Sequence, residues 1–288
     1  MTGEPEEEAV GRTTPGLESI RLGLVGAGEM AEALLAGLVG GGRLRPERIL
    51  VNNRSNRARL EHLAAHWGVR ATREKAALAE ADLLVLAVKP ADAAEALAQL
   101  RPHVREGAAL VSVVAGLPTE AILARLGREL PVVRAMPNTP SRVGEGATAL
   151  AAGRLAGPRE LALARQLFAG VGRVVEVGEE ALDAVTGLSG SGPAYVFLLL
   201  EALIAAGVKE GLEYGVAREL ALQTVFGAAK MALERGEDPA RLREEVTSPN
   251  GTTMAGLAAL EQRGFRQALE AAVGRAAARA RELGLLYS

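Results

Sequence analysis

One stretch near the start of this chain leaves few folds open. Ile20-Arg21-Leu22-Gly23-Leu24-Val25 is a short apolar run. Gly26-Ala27-Gly28-Glu29-Met30-Ala31 follows, and then Leu34, Leu35 and Leu38 recur at helical spacing. An apolar strand that turns through two glycines directly into an amphipathic helix is the opening of a βαβ unit, and a parallel sheet flanked by helices is its natural continuation. Each small residue has a distinct task in such a turn. Gly26 makes the tight bend, Gly28 lets a pyrophosphate approach the backbone, and Ala31 keeps the helix close to the strand. The whole segment Gly26, Ala27, Gly28, Glu29, Met30 and Ala31 is therefore a candidate dinucleotide-phosphate site, placed where a helix N-terminus favours negative charge.

The next strand sharpens the choice of dinucleotide. Ile49-Leu50-Val51-Asn52 ends at Asn53-Arg54-Ser55. A site for NAD usually carries an acid here to hold the adenosine ribose 2′-hydroxyl. This chain has Arg54 between small polar residues, which suits a 2′-phosphate through charge-assisted hydrogen bonds. The reading is NADPH, with NADH as the weaker alternative. Helix and strand alternate onward. Segments 55–66, 90–100, 118–126 and 158–169 read as helices, and segments 69–71, 82–88, 109–114, 132–135, 146–151 and 174–177 as strands. The expected fold class is α/β, with a doubly wound Rossmann-type domain over residues 20–177. Ligands of such sheets bind at the carboxyl ends of the strands. Ala87-Val88-Lys89-Pro90, Ala115-Gly116 and Asn138 all fall at those ends and join the candidate cofactor set.

From residue 178 the strand pattern stops, and residues 178–288 read as an all-helical domain. Its longest apolar run, Tyr195 to Ile204, has too few polar residues for a free surface, so it is expected to lie in an interface between subunits. A helix break is expected at Ser189-Gly190-Ser191-Gly192. Further on, Ser248-Pro249-Asn250-Gly251-Thr252-Thr253 leads into an apolar helical stretch starting at Met254. That arrangement sets hydroxyls beside unpaired N–H groups at a helix N-terminus, a good seat for a small carboxylate.

Composition removes other classes. There is no cysteine, so thiolate chemistry, disulfides and Cys-ligated metals are out. His62 and His66 stand i, i+4 apart with no third ligand in sequence, so no metal site is expected. A net charge of −2 offers nothing to nucleic acid or an anionic membrane. No uninterrupted run of 18 apolar residues exists, so no spanning helix is expected. Residues 1–19 read as an acidic, disordered tail rather than a leader, which points to a cytoplasmic location.

Taken together, the motifs resemble the pyrroline-5-carboxylate reductase family. The resemblance runs from Ile20 to the end and rests on Gly26 to Ala31, Ala87 to Pro90, Met136-Pro137-Asn138-Thr139-Pro140, Gly187 to Tyr195, and Val246 to Thr253. The sequence departs from the family pattern at Asn250, where Gly is usual, and at Arg243-Glu244, where Lys-Asp is usual. Asn tolerates left-handed backbone best after Gly, so the loop can survive. The resemblance implies NADP(H)-dependent reduction of the C=N bond of 1-pyrroline-5-carboxylate to proline. It implies Arg54 and Ser55 at the 2′-phosphate, Ala87 to Pro90 and Ala115-Gly116 along the nicotinamide half, and Ser248, Gly251, Thr252 and Thr253 around the substrate. Thr253 would act on the ring nitrogen. It also implies a homodimer through the helical domain, often built into larger rings.

Three rival readings stay open on the residues alone. A hydroxyacid dehydrogenase on the same plan wants a lysine on the first long helix of the second domain, yet Pro193 to Ala206 carries neither Lys nor His. A reductase of another imine would keep every motif. A non-catalytic dinucleotide-binding regulator would keep Gly26 to Ala31 but has no need of the hydroxyl-rich loop at 248–253.

Overall fold

A computed structural model describes residues 16–287. Eight strands form one sheet in the order β3-β2-β1-β4-β5-β6-β7-β8. They are β1 (Leu22–Val25), β2 (Ile49–Asn52), β3 (Arg70–Thr72), β4 (Leu83–Leu86), β5 (Ala109–Ser112), β6 (Val132–Met136), β7 (Gly146–Ala152) and β8 (Gly172–Glu176). The first six run parallel. β7 turns back antiparallel to β6, and β8 runs parallel to β7. The helices of this part are α1 (Glu29–Leu35), α2 (Arg57–Trp67), α3 (Pro90–Leu100), α4 (Thr119–Leu126), α5 (Pro158–Phe168) and α6 (Leu182–Val185).

The period of two in the strands decides which face each side chain feeds. Leu22, Leu24, Ile49, Val51, Leu83 and Val85 bury on one face beneath α1, α2 and α5. Val25, Leu50, Leu84, Leu86 and Leu110 bury on the other beneath α3 and α4. A strand covered on both faces needs a continuous apolar run, which is why β4 carries four leucine or valine residues with all positions buried.

The helical part holds α7 (Gly192–Lys209), α8 (Tyr214–Arg235), α9 (Pro239–Glu245), α10 (Thr252–Gln262) and α11 (Phe265–Tyr287). α7 and α8 pack together, and a Cβ on Gly207 would stand 3.2 Å from the Cβ of Ala217. Only small residues let two backbones come this near.

Several expectations change. The described residues divide into two compact units, one of them 186–279 and the other the remainder, so that residues 178–185 pack with the sheet. The physical reason lies in residues 178–185. Glu179 accepts from Thr119 N–H at 2.8 Å and from Thr119 Oγ1 at 2.6 Å, and it pairs with the buried Arg134 at 3.1 Å. Leu182 is buried against Ala149 and Ala151. The tail is shorter than read: residues 17–19 form a 3-10 turn, with Leu17 buried and its N–H donating to Gln166 Oε1. The rest of that reading, residues 1–15, lies outside the described residues.

The expected break at 189–192 is a π turn over Thr186–Gly190, closed by Ser191 N–H on Thr186 C=O at 2.8 Å. Pro193 lacks an N–H, and the widened turn lets the helix run past it almost uninterrupted. Tyr195 Oη donates to the Gly187 carbonyl of that turn at 3.2 Å. Among the described residues, one helical stretch, Glu179–Lys209, is long and apolar enough to cross a bilayer by length and composition alone, an 18-residue window of it having a mean hydropathy of 1.7.

Candidate active site

The cofactor candidates converge because four strands stop at one edge. Val25 pairs with Asn52 on one side and Leu86 on the other, and Leu86 pairs with Ser112. The loops after β1, β2, β4 and β5 therefore leave the sheet side by side, at the point where the strand order reverses.

Gly26 is fixed by two constraints. Its φ is +115°, and a Cβ there would sit 2.2 Å from the Ala87 carbonyl oxygen. Gly28 is different: its φ is −78°, and a Cβ would meet no heavy atom within 4 Å. The space above Gly28 is open, and α1 begins there with no side-chain cap, so the first N–H groups of the helix, from Glu29 to Ala31, face outward. That is the cradle a pyrophosphate needs, and the chain fits the group. Glu29 brings a negative charge to the same turn, and Arg142 neutralises it at 3.1 Å. Ala27 is held from outside. Arg59 donates from Nε to the Ala27 carbonyl at 3.0 Å and from its other arm to Glu32 at 2.5 Å. The Arg59 hydrogen bond holds the Glu32 carboxyl below its usual range, and His62 adds to the effect.

A cleft of about 180 Å³ opens beside this turn, lined by Gly26, Asn53, Arg54, Ser55, Val88 and Glu95 among others. Asn53 spends its side-chain oxygen on the loop itself, accepting from Ser55 N–H at 3.1 Å and Asn56 N–H at 2.9 Å. Arg73 braces the same loop through the Arg54 carbonyl at 3.0 Å. The Arg54 side chain is therefore presented from an ordered turn. Lys75 is the residue the sequence reading missed. It is half-buried in this cleft, and its Nζ donates to Asn52 Oδ1 at 2.9 Å. Burial lowers its pKa, and the Arg54 charge lowers it further. Its position at the start of a short 3-10 turn gave no periodic signal, though its spacing after β3 did place it near the same sheet edge.

Lys89 is exposed and caps α3, where Pro90 stands at the first helical position. Gly116 adopts φ +72° and approaches Gly284 at the end of α11; a Cβ on it would stand 3.2 Å from the Gly284 nitrogen. Asn138 starts a short turn, and its Oδ1 accepts from Ala147 N–H at 2.8 Å, tying the turn to β7. His62 and His66 stack at 5.8 Å. Among the described residues no group of three or more His, Asp or Glu side chains is placed to hold a metal.

The second set lies within the helical unit. Asn250 has φ +58°, the one non-glycine residue with positive φ among those described, so the departure from Gly is absorbed as left-handed backbone. Gly251 is needed for closeness instead: its φ is −83°, and a Cβ would meet Ser248 Oγ at 2.3 Å. Thr252 and Thr253 open α10, exposed, with no side-chain cap, and the first intrahelical bond is Ala255 N–H to Gly251 C=O at 3.3 Å. Ser248, Thr252, Thr253 and the free N–H groups of that turn thus share one small surface.

A mostly parallel sheet with this glycine turn, and with a cleft holding Arg54 and Lys75 at its switch point, defines a dinucleotide-dependent oxidoreductase, here followed by a helical unit. Residues 179–283 match the family model for pyrroline-5-carboxylate reductase dimerisation, and residues 21–116 match that for NADP oxidoreductase, coenzyme F420-dependent. The chain belongs to the pyrroline-5-carboxylate reductase family. It is 45% identical over 275 residues to the Synechocystis pyrroline-5-carboxylate reductase, covering 92% of this chain and 99% of that protein. It is similar to the structure of a pyrroline-5-carboxylate reductase from Coxiella burnetii, with TM-score 0.87, 38% identity and coverage of 92% and 98%. It is also similar to that of a Plasmodium falciparum pyrroline carboxylate reductase with NADP bound, with TM-score 0.82, 31% identity and coverage of 93% and 100%.

Proposed function

We infer that this chain is an NADPH-dependent pyrroline-5-carboxylate reductase that reduces the C=N bond of 1-pyrroline-5-carboxylate to give proline. Family membership over nearly the whole chain supports the reaction. The observation on this chain's own residues that carries the reading is the hydroxyl-rich, uncapped start of α10. A regulator that only binds dinucleotide has no use for it, and an alcohol dehydrogenase would need a lysine that α7 lacks before Lys209.

Gly26 to Ala31 hold the pyrophosphate, and Asn53, Arg54 and Ser55 the adenosine end, with Arg54 reading the 2′-phosphate. Ala87, Val88, Lys89, Pro90, Ala115, Gly116 and Asn138 border the nicotinamide half. Bound NADPH supplies the hydride. At the substrate, the N–H groups at the start of α10 hold the carboxylate with Ser248, Gly251 and Thr252, and Thr253 Oγ1 bonds the ring nitrogen and orients the ring. A protonated imine is already electrophilic, so the residues need only bind and orient it. The exposed apolar side chains of α7 and α8 meet a second copy of the chain, and such dimers can assemble into a larger ring. A cytoplasmic site of action accords with this biosynthetic role.

The test is NADPH oxidation with pyrroline-5-carboxylate, run beside NADH. Turnover, faster with NADPH, is expected; binding of NADPH without turnover would favour the regulator. Thr253→Ala should lower kcat/KM by about 1–3 kcal/mol in transition-state terms, roughly five- to 150-fold, with the cofactor KM unchanged. Wild-type kinetics in that variant would remove Thr253 from the mechanism.

A further inference from the structure

The cleft that should accept the adenosine 2′-phosphate already contains an anion supplied by the protein. Arg54 Nη1 is ion-paired with Glu95 Oε2. Glu95 stands on the exposed face of α3, and its other carboxylate oxygen accepts from Gln99 Nε2 at 2.9 Å, one turn further on. Asp92, one turn earlier, lines the same cleft and adds its charge to the field at Arg54. Two cations, Arg54 and Lys75, thus face two carboxylates, Asp92 and Glu95, in one small cleft.

We propose that Glu95 is a specificity-determining residue: its carboxylate holds Arg54 where the adenosine 2′-phosphate would, so a phosphorylated cofactor must displace it and an unphosphorylated one need not. The inference rests on Arg54 as the 2′-phosphate reader. Arg54 has one planar fork, and a bidentate phosphate contact competes with the carboxylate for it. The pair is more than half exposed and so weak, and the competition trims NADPH affinity without abolishing it. A displaced Glu95 also remains near the phosphate as a like charge. Both effects act on NADPH alone, which narrows the gap to NADH. Lys75 opposes them: half-buried and short of a full counter-ion, it gains more from an incoming dianion than an exposed lysine would.

The experiment is equilibrium binding, by titration calorimetry, of NADP⁺, NAD⁺ and the fragment 2′,5′-ADP to wild type, Glu95→Gln and Arg54→Gln. Both side chains are more than half exposed, so both variants should fold. Glu95→Gln should tighten NADP⁺ and 2′,5′-ADP about two- to fivefold, the range of one exposed ion pair, and leave NAD⁺ unchanged. Weaker 2′,5′-ADP binding in Glu95→Gln would overturn the proposal, because it would mean that Glu95 orders Arg54 for the ligand. Equal shifts for NADP⁺ and NAD⁺ would overturn it too. Arg54→Gln separates the two ideas. If it leaves the NADP⁺-to-NAD⁺ ratio untouched, the Arg54 reading itself fails; if it lowers the ratio while Glu95→Gln changes nothing, only the Glu95 proposal fails.

Discussion

The two compact units solve the problem of burial in opposite ways. In the first, the central strands of the sheet are covered on both faces by the chain's own helices, and leucines of β1, β4 and β5 are fully buried. In the second, not one residue of α7 is buried, and Phe197, Leu198, Leu220 and Phe226 are each more than half exposed. Its buried residues among those described are small or few: Gly187, Ala217, Ala221, Leu242 and Ala277. A lone soluble domain rarely leaves so much contiguous apolar surface in water. The first unit is complete as drawn, whereas the second is half of something, which agrees with the dimerisation match over 179–283.

The comparison breaks most sharply if the helical unit stands alone. Phe197→Glu combined with Leu198→Glu would place two charges on the apolar face of α7. The expected result is loss of the dimer in sedimentation velocity and loss of nearly all turnover. A dimer of unchanged stability in this variant would mean that the exposed face of α7 is not the contact. A single Leu198→Ser offers a milder version that keeps the fold testable by circular dichroism.

The next effect belongs to the sheet unit, where closeness rather than apolar cover is the constraint. Gly26→Ala adds a Cβ 2.2 Å from the Ala87 carbonyl, at φ +115°, so β1 and the loop after β4 must separate. The expected destabilisation is about 1–3 kcal/mol in a thermal or urea melt, with loss of NADPH binding. Gly28→Ala is the matched control. Its Cβ meets nothing in the protein, so stability should hold while dinucleotide affinity falls. Equal stability losses in the two would contradict the distinction drawn between these glycines.

The same contrast explains what the sequence could and could not disclose. Periodic features were legible: β2 and α3 lie where the pattern puts them, because strand alternation and helix capping are local. The glycine turn was legible because a strand, two glycines and a helix permit little else. The packing of residues 178–185 against the sheet was not. It depends on Glu179 reaching back to Thr119 and Arg134, a contact between residues 45 or more apart in the chain. The break expected at 189–192 narrows for a related reason to Ser191, between the π turn over Thr186–Gly190 and α7. Glycine and serine signal an interruption, but a π turn can absorb them when Pro193 removes the competing N–H. At the site, Arg54 could be read from its place after β2, whereas Lys75 and Glu95 come from separate elements and meet Arg54 only in the folded sheet.

The smallest effect tests whether the two units differ in electrostatics as they do in packing. Each has an arginine that depresses a carboxylate: Arg59 acts on Glu32 in the sheet unit, and Arg235 on Glu245 in the helical unit. A carboxyl whose folded pKa is lowered stabilises the fold at pH values above its unfolded pKa, about 4.3 for Glu, and that stability is lost as the pH falls toward the lowered folded value. Both pairs should therefore contribute in full near neutrality, and that contribution should fall away only in acid. They should part company in salt. The Glu32 and Arg59 side chains are 28% and 22% exposed, whereas those of Glu245 and Arg235 are 40% and 39% exposed. Added salt should screen the second pair more than the first. Melting temperatures of wild type, Glu32→Gln and Glu245→Gln, followed from pH 7 to pH 3 at low and high ionic strength, would show this. Glu32→Gln should flatten the acid slope at both ionic strengths, because Arg59 also holds the Ala27 carbonyl in a sheltered turn, and Glu245→Gln only at the lower one. If salt erased both contributions alike, the sheltering of the glycine turn by Arg59 would be too weak to distinguish it from an ordinary surface pair.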